Sequence, residues 1–269
     1  MLFRLQLVAM AALVLPVACQ RQDLTRVQGY VEGEFVNVAS PLGGRLEKLP
    51  VARGTRVKNG DLLFALEQTS ELAARDQAVF LVNQARAALV LSEKEWVRQS
   101  ELLATSVAAQ RDADQARSQR DQDLHHVSQL QAALDSAQWN LDQKQQSATR
   151  DGLVFDTPFH EGDWVPAGNP VVVMLPPENV KVRAFVSQKI VGNITRDTLA
   201  TIHVDGRPPQ TFEARVSFVS PRAEYTPPVI YSQDMREKLV FLIELSVEPE
   251  VAKKLHPGQP VDVHFQLKK

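Results

Sequence analysis

The sequence predicts an α+β protein in which a small β-sandwich is split by a long antiparallel α-helical coiled-coil hairpin and followed by a small β-barrel. Three observations support this fold class. Residues 61–151 contain neither Gly nor Pro, the residues that most often interrupt helices. The segments on either side of this stretch repeat each other. The residues after 177 form short β-type runs separated by turn signals.

Charge and hydropathy exclude two classes of protein. The 269 residues include 30 Lys and Arg against 32 Asp and Glu, a formal charge of −2, so no positive field is available and we expect no nucleic-acid partner. The longest apolar run extends from Leu5 to Ala18. It is shorter than the roughly 20 residues that a spanning helix needs, so a multi-pass transporter is also excluded.

Residues 1–18 are predicted to be a signal peptide, because the apolar run follows a short segment with one cation, Arg4. The pair Ala18-Cys19 resembles the end of a bacterial lipoprotein signal, in which the cysteine is acylated and becomes the mature N-terminus. Cys19 is therefore the expected lipidation site and membrane anchor. A simple cleaved signal and a short uncleaved anchor are the alternatives. Cys19 is the only cysteine, so no intramolecular disulfide can form.

Residues 70–147 are predicted to form the α-helical hairpin, because apolar and small residues recur there at spacings of four and three. The first seam contains Ala78, Val82, Ala85, Leu89, Ser92, Trp96, Gln99 and Leu103. The second contains Ala113, Ala116, Val127, Leu130, Leu134, Ala137 and Leu141, and is interrupted by Arg120 and Asp123. The small residues of 105–109 separate the arms 70–105 and 110–147. Each arm would reach roughly 54 Å. One continuous helix in a parallel dimer is the alternative.

The segments that flank the hairpin, 27–67 and 148–175, are predicted to be two halves of one β-domain. Five residues of the first half recur in the second at a constant offset of 108: Gly44, Gly54, Val57, Gly60 and Leu63 as Gly152, Gly162, Val165, Gly168 and Val171. A half of about four short strands cannot cover its own apolar face, so we expect the halves to pack together. An antiparallel hairpin returns both ends to one place and lets the halves meet.

Residues 178–267 are predicted to form a small β-barrel of five or six strands, with Ser187 at the start of a short helix. The expected strands are 180–186, 199–205, 212–220, 238–247 and 261–267, and the turns contain Gly and Pro, as at Pro257-Gly258.

This arrangement resembles the HlyD or membrane-fusion-protein family of bacterial periplasmic adaptor subunits, over about residues 27–267. The more specific parts are 39–46 (Ala-Ser-Pro-Leu-Gly-Gly-Arg-Leu), 220–228 and 238–241 in the barrel, and the closing turn and strand 255–263. The barrel segments are most similar to adaptors that serve ABC-type exporters. The two half-motifs are similar to lipoyl and biotinyl carrier domains.

The resemblance implies that the hairpin tip docks onto a TolC-type outer-membrane channel. Channel-docking adaptors carry an Arg, a Leu four residues on and a Ser seven beyond that. In this chain those places are held by Arg98, Leu102 and Ala109, and Leu103 follows Leu102 as is usual. Leu102 is expected to lie just off the seam as an exposed apolar group. Ala109 lacks the hydroxyl of the usual Ser.

The resemblance also implies that Glu224, Tyr225 and Thr226 of the barrel face the exporter. It implies a homo-oligomeric ring, expected to be a hexamer, in the periplasm and anchored at the inner membrane. A carrier domain would need a lysine at the turn between the halves, where a cofactor is attached. The helical insertion replaces that turn, so we expect no cofactor.

No enzyme is predicted, because the minimal motifs of a hydrolase elbow, a Walker loop, a dinucleotide site and a His-Glu-x-x-His helix are missing from the sequence. His125 and His126 are adjacent on a helix and point about 100° apart, which does not suit one metal ion. The charged runs 93–95 and 111–114 are interpreted as solvated faces of the hairpin.

The sequence therefore predicts a periplasmic adaptor that links an inner-membrane ABC-type exporter to a TolC-type outer-membrane channel. An adaptor of a proton-driven pump is the first alternative; those adaptors usually carry a further membrane-proximal β-domain, for which we find no segment. A structural coiled-coil lipoprotein without a channel partner is the second.

Overall fold

A computed structural model describes residues 26–206, 208–225 and 239–267. Its strands are β1 Arg26–Gly33, β2 Val36–Ala39, β3 Gly44–Lys48, β4 Arg56–Val57, β5 Leu62–Leu66, β6 Gln145–Ser147, β7 Gly152–Asp156, β8 Trp164–Val165, β9 Pro170–Leu175, β10 Val180–Ser187, β11 Leu199–Val204, β12 Gln210–Tyr225, β13 Leu239–Ser246 and β14 Pro260–Phe265. Its helices are α1 Thr69–Ala104, α2 Gln110–Gln143, α3 Gln188–Val191 and α4 Pro249–Ala252, with a 3-10 turn at Pro177–Asn179. The chain divides into two compact units, one with most of the barrel and one that spans Val31–Lys181 and Val247–Gln259.

The second unit contains two four-stranded sheets, and each sheet takes strands from both sequence repeats. One sheet has the order β2-β9-β7-β4 and the other the order β6-β5-β3-β8. The repeat offset relates β3 to β7, β4 to β8 and β5 to β9. The two halves therefore interlock strand by strand, and neither half forms a complete sheet alone.

Hydrogen bonds between the halves follow the same internal symmetry. The amide of Gly54 donates to the carbonyl of Val154 at 2.8 Å, and the amide of the repeat-related Gly162 donates to the carbonyl of Leu46, also at 2.8 Å. The two glycines have φ of +86° and +96°, in the region that glycine adopts at little cost. The repeated glycines therefore lie in turns whose amides donate hydrogen bonds from one half to the other.

The core between the two sheets is also shared. The repeat-related pair Val57 and Val165 is 4% and 1% exposed, and the pair Leu63 and Val171 is fully buried. All four belong to one hydrophobic cluster. Because both repeats supply this cluster, burial of apolar surface stabilises the sandwich only when the two halves are together.

The inserted segment forms two long antiparallel helices, α1 and α2. Arg86 donates to Gln131 at 2.9 Å, and the guanidinium of Arg120 lies 4.3 Å from the ring centroid of Trp96. The residue numbers in these two contacts have nearly the same sum, as expected for antiparallel arms. The buried positions of the two helices are Val82, Ala85, Ser92, Ala113, Ala116 and Leu141, all of them on the predicted seams.

The predicted β-barrel is confirmed as a closed six-stranded barrel, with the order β1-β10-β13-β12-β11-β14. Residues of β10 alternate between buried and partly exposed along the strand, as expected when one face lines a core. Ser187 precedes α3 as its N-cap residue but makes no side-chain hydrogen bond there.

Strand β1 is a barrel strand, although the sequence analysis places it in the sandwich as part of 27–67. It pairs with β14, from Arg26 opposite His264 to Tyr30 opposite Pro260. A Cβ atom on Gly29 would lie 2.5 Å from the carbonyl oxygen of Arg183 on β10, so this close approach requires glycine. Pairing between strands so far apart in the chain leaves no local sequence pattern, which explains the error.

The second arm ends at Gln143, before the predicted end at residue 147. Residues 145–147 form β6 instead, because they pair with β5 at the edge of a sheet. Between helix and strand, the Nζ atom of Lys144 lies 3.0 Å from Glu71 of α1 and donates to the carbonyl of Gly43 at 2.9 Å. Lys144 is 5% exposed. This buried cation joins both arms of the hairpin to the sandwich.

The carboxyl of Glu71 remains ionised at neutral pH in spite of its partial burial. Burial raises its pKa, but hydrogen bonds from Ser70 and Lys144, together with the Lys144 charge, outweigh burial and hold the pKa below its ordinary value of 4.5. The ionised carboxylate is therefore available to neutralise Lys144.

Replacing Glu71 with Gln is expected to destabilise the protein by about 2 kcal/mol at neutral pH, because Lys144 would stay buried without its counter-charge. Glu71 has a lowered pKa when folded, so its contribution is present above the unfolded pKa and is lost as the pH falls through the folded value. The difference between parent and variant in the free energy of urea unfolding should thus shrink below about pH 4.

Glu178→Gln is the matched control, because Glu178 pairs with Arg150 at 3.3 Å and both side chains are about half exposed. We expect this control to change the free energy of unfolding by less than about 0.5 kcal/mol. Equal effects of the two substitutions would contradict a special role for the Lys144 junction.

Candidate functional site: the tip of the helical hairpin

The hairpin tip, residues 105–109, is closed by a Schellman motif at the end of α1. The amide of Ser106 donates to the carbonyl of Leu103 at 2.9 Å, and the amide of Val107 donates to the carbonyl of Leu102 at 2.9 Å. Ser106 has φ of +61°, a left-handed conformation that glycine usually adopts in this motif. The hydrogen bonds hold the turn in spite of the missing glycine.

Helix α2 begins at the tip without a side-chain cap. Ala109 is the N-cap residue, with φ of −79° and ψ of 145°, and its methyl group can accept no hydrogen bond. The amide of Asp112 donates to the Ala109 carbonyl at 3.0 Å. Ala109 is exposed. A hydroxyl at this position would have both the room and the backbone geometry to cap the helix.

Arg98 lies on an exposed face of α1, near its end, and pairs with Glu95 at 2.8 Å. The two side chains are 65% and 42% exposed. An exposed ion pair of this kind stabilises a protein by at most about 1 kcal/mol. A carbonyl or carboxylate of a partner could therefore replace Glu95 as the acceptor at little cost.

Leu102 is half-buried, so the expectation of an exposed apolar group at this position is wrong. Its place in the Schellman motif explains this, because the chain after the helix folds back toward the third residue from the helix end. Leu103, on the seam, is also half-buried. The exposed apolar residue of the tip is Val107, whose exposure is 73%.

Val107 was not predicted, because within 105–109 only Ala109 matches a position of the docking pattern and the other residues were interpreted as a chain reversal. The signal was present, since Val107 is the one large apolar residue in a turn of small and polar residues. The tip thus combines an exposed apolar side chain, a half-buried leucine pair and a weakly paired arginine.

The other predicted site residues concern different parts of the chain. Glu224 and Tyr225 end β12, where that strand pairs with β13. Cys19 and Thr226 lie outside the described residues. His125 and His126 are exposed on α2, and the described part of the chain contains no group of three or more potential metal ligands. None of the helices described is both long and apolar enough to span a membrane.

A second exposed feature of the hairpin is an apolar stripe on α1. Phe80 is 70% exposed and Leu91 is 71% exposed. They are eleven residues apart and so project from the same side of the helix, roughly 16 Å from each other. Val82, nine residues before Leu91, lies on the opposite side and is 1% exposed. The stripe therefore lies on the face of α1 that α2 does not cover.

Known proteins similar to this chain include several curated relatives. The chain is 26% identical to a UPF0194 membrane protein of Citrobacter koseri, over 91% of this chain and 90% of that protein. It is 27% identical to a UPF0194 membrane protein of Acidithiobacillus ferridurans, over 90% and 86%. It is 26% identical to the UPF0194 membrane protein YbhG of Salmonella arizonae, over 96% and 95%. No protein-family profile matches the chain.

Two solved structures show the same fold. A membrane fusion protein from Streptococcus pneumoniae matches with a TM-score of 0.67 at 18% identity, over 91% of this chain and 99% of that one. MacA from Actinobacillus actinomycetemcomitans matches with a TM-score of 0.69 at 18% identity, over 90% and 78%. The chain is therefore similar in sequence to UPF0194 membrane proteins and has the fold of membrane fusion proteins.

Proposed function

We propose that this protein is a periplasmic adaptor that links an inner-membrane ABC-type exporter to a TolC-type outer-membrane channel. The observation that carries the proposal is the exposed apolar group at the end of a long rigid hairpin. Each arm has about 35 residues and reaches roughly 50 Å. An apolar side chain at such a distance from the sandwich core contributes nothing to that core. Its exposure leaves it available for contact with a protein that binds the tip.

The side chains of the tip suit a weak contact with a channel, repeated once for each subunit of a ring. Val107 offers a small apolar surface, and Arg98 offers a guanidinium whose present partner is easily exchanged. One such contact would bind weakly. Several tips in a ring would bind a channel with much greater avidity, because every contact after the first is intramolecular. The proposed adaptor carries out no chemical reaction and needs no cofactor.

The proposed anchor is the lipid on Cys19, which would hold the protein at the inner membrane. Glu224, Tyr225 and Thr226 are the proposed exporter-facing residues of the barrel. The identity of the inner-membrane transporter that is cross-linked to the barrel would separate an ABC-type partner from a proton-driven pump.

A photoreactive amino acid at position 107 is expected to cross-link the adaptor to the TolC-type channel in living cells. The same amino acid at position 126, which is exposed on α2 away from the tip, is the matched control. We expect a channel adduct from position 107 that falls at least tenfold when Arg98→Glu and Leu102→Asp are added. Equal yields from positions 107 and 126 would contradict channel docking by the tip.

A docking role also requires that the substituted tip remains folded. Leu102→Asp removes a half-buried group and is expected to cost more stability than Val107→Asp, which should cost less than about 0.5 kcal/mol. Val82→Asp is the control for a core residue and should lower the thermal midpoint strongly. A Val107→Asp variant as unstable as Val82→Asp would place Val107 in the core instead.

Ring assembly is part of the proposal and is supported by the stripe on α1. Arg120 interrupts the second seam of the heptad pattern, but its guanidinium stacks on Trp96 and so fills that part of the hairpin within one chain. Phe80 and Leu91 have no such partner among the described residues. Two large apolar side chains on one exposed face favour contact with a neighbouring subunit.

Phe80→Asp combined with Leu91→Asp is expected to abolish cross-linked species larger than the monomer in membranes that contain the transporter. Leu124→Asp makes the same change of polarity at an exposed position of α2 and should leave the cross-linked ladder unchanged. A ladder that survives the double substitution would remove the α1 stripe from the subunit interface.

Ala109→Ser is expected to stabilise the start of α2 by about 1 kcal/mol, because the hydroxyl can accept a hydrogen bond from an amide of the first turn. Slower amide exchange at residues 111 and 112 would measure this. Ala108→Ser, one residue earlier, should have no such effect. If Ala109→Ser also raises the yield of the position-107 adduct, the hydroxyl supports docking as well as capping. Amide exchange that is no slower in Ala109→Ser than in the parent protein would refute the helix cap.

A further inference from the structure

A cavity of about 550 Å³ lies within the second unit, on the outer face of the sheet β2-β9-β7-β4. Its other wall is the segment that contains α4 and the turn after it. A volume of this size is typical of sites for small organic ligands. The lining residues are Gly54, Arg56, Val57, Lys58, Asp151, Gly152, Leu153, Leu175, Pro177, Val180, Ala252, Lys253, Leu255, His256 and Pro257.

The floor of this cavity is apolar. Leu153 of β7 pairs with Leu175 of β9, so their side chains share one face of the sheet. Leu255 also lines the cavity. Leu153 is 36% exposed, although Leu175 and Leu255 are buried. The cavity therefore offers a surface suited to a hydrocarbon chain.

The rim of the cavity is positive. Arg56 pairs with Leu153 across β4 and β7, and among the described residues its guanidinium makes one long hydrogen bond, 3.4 Å, to the carbonyl of Lys253. Lys58 and Lys253 also line the rim. The acid Glu250 lies near, but it is paired with Lys253. The pKa of Glu250 is lowered first by its hydrogen bond from Lys253 and to a smaller extent by the charge of Arg56, but no carboxylate of the described residues forms an ion pair with Arg56.

The acid that lines the cavity does not neutralise Arg56. One carboxylate oxygen of Asp151 accepts a hydrogen bond from the amide of Asn59 at 3.0 Å. This bond fixes Asp151 in the loop that precedes β7. Arg56 is thus an exposed cation beside Leu153, without an ion pair to Asp151.

The internal symmetry of the sandwich provides a comparison. The offset of 108 relates Arg56 to Trp164, Leu153 to Arg45 and Leu175 to Glu67. On the second sheet these positions hold an acid, Glu67, and a base, Arg45. Hydrogen bonds from Thr69 lower the pKa of Glu67 most, and the charge of Arg45 lowers it further. The first sheet has two leucines in the places of that acid and base. The first sheet therefore carries an apolar pair where the second carries a charged pair.

We propose that this cavity binds a long-chain carboxylate. The hydrocarbon chain would lie on Leu153, Leu175 and Leu255, and the carboxylate would accept hydrogen bonds from Arg56. An apolar floor beside an arginine that has no ion-pair partner among the described residues fits an amphiphile with a single anionic head. A charge-assisted bond to guanidinium is among the stronger hydrogen bonds that proteins make. Binding at this cavity does not depend on channel docking by the tip.

Photolabelling of the full chain in its own membranes tests the site. Palmitate that carries a diazirine in its chain is added to washed membranes and irradiated, and the labelled peptides are identified by mass spectrometry. We expect saturable labelling of the peptides that contain Leu153, Leu175 or Leu255. Unlabelled palmitate should compete, and hexadecanol and an alkylammonium of equal length should compete at least tenfold less well.

Substitutions separate this site from general contact with lipid. Arg56→Gln should lower the affinity about tenfold, the loss of one charge-assisted bond, and Arg56→Lys should retain most of it. Arg45→Gln, at the position on the other sheet that is related to Leu153, is the matched control and should change nothing. Thermal midpoints of all three variants establish that they fold.

Three results would overturn the proposal. The first is labelling that does not saturate or that is spread over peptides of both sheets. The second is equal loss of labelling in Arg56→Gln and Arg45→Gln. The third is equal competition by hexadecanol, which would mean an apolar groove with no role for the charge.

Discussion

The exchange of strands between the two repeats is the constraint on which the second unit depends. Each sheet contains strands from before and after the helical insertion, and the core positions of both repeats meet in one cluster. The sandwich therefore forms only when the segments before and after the insertion come together. Only an insertion whose ends lie together permits this at low entropic cost, and two antiparallel helices satisfy that condition.

The junction at Lys144 shows how the hairpin is held to the sandwich. A lysine with 5% exposure would be strongly destabilising without a counter-charge, and Glu71 supplies it from the first turn of the other arm. The Nζ atom also bonds to the carbonyl of Gly43, beside the first strand of the sheet. Both arms and the sheet therefore converge on one cation.

The repeat and the hairpin could be predicted from the sequence because both leave local patterns, such as the turn glycines Gly54 and Gly162 with their positive φ. The position of β1 could not be predicted, because its partner β14 lies at the other end of the chain and pairing is a property of two segments. The tip shows a different limit. Heptad phase placed Leu102 just off the seam, as an exposed residue. That phase applies only while the helix continues, and near the helix end the returning backbone decides exposure.

The protein thus has two classes of apolar residue, those buried in the sandwich core and those exposed on the hairpin. Residues shared by the repeats are buried and stabilise the sandwich, whereas Val107 and the stripe of Phe80 and Leu91 are exposed on a hairpin that is already satisfied by its own seam. Since exposure of these side chains adds nothing to the stability of a single chain, their effect on free energy appears only on contact with another surface. Because these side chains stand on formed helices and on a hydrogen-bonded turn, a partner that binds them would need to order little additional backbone.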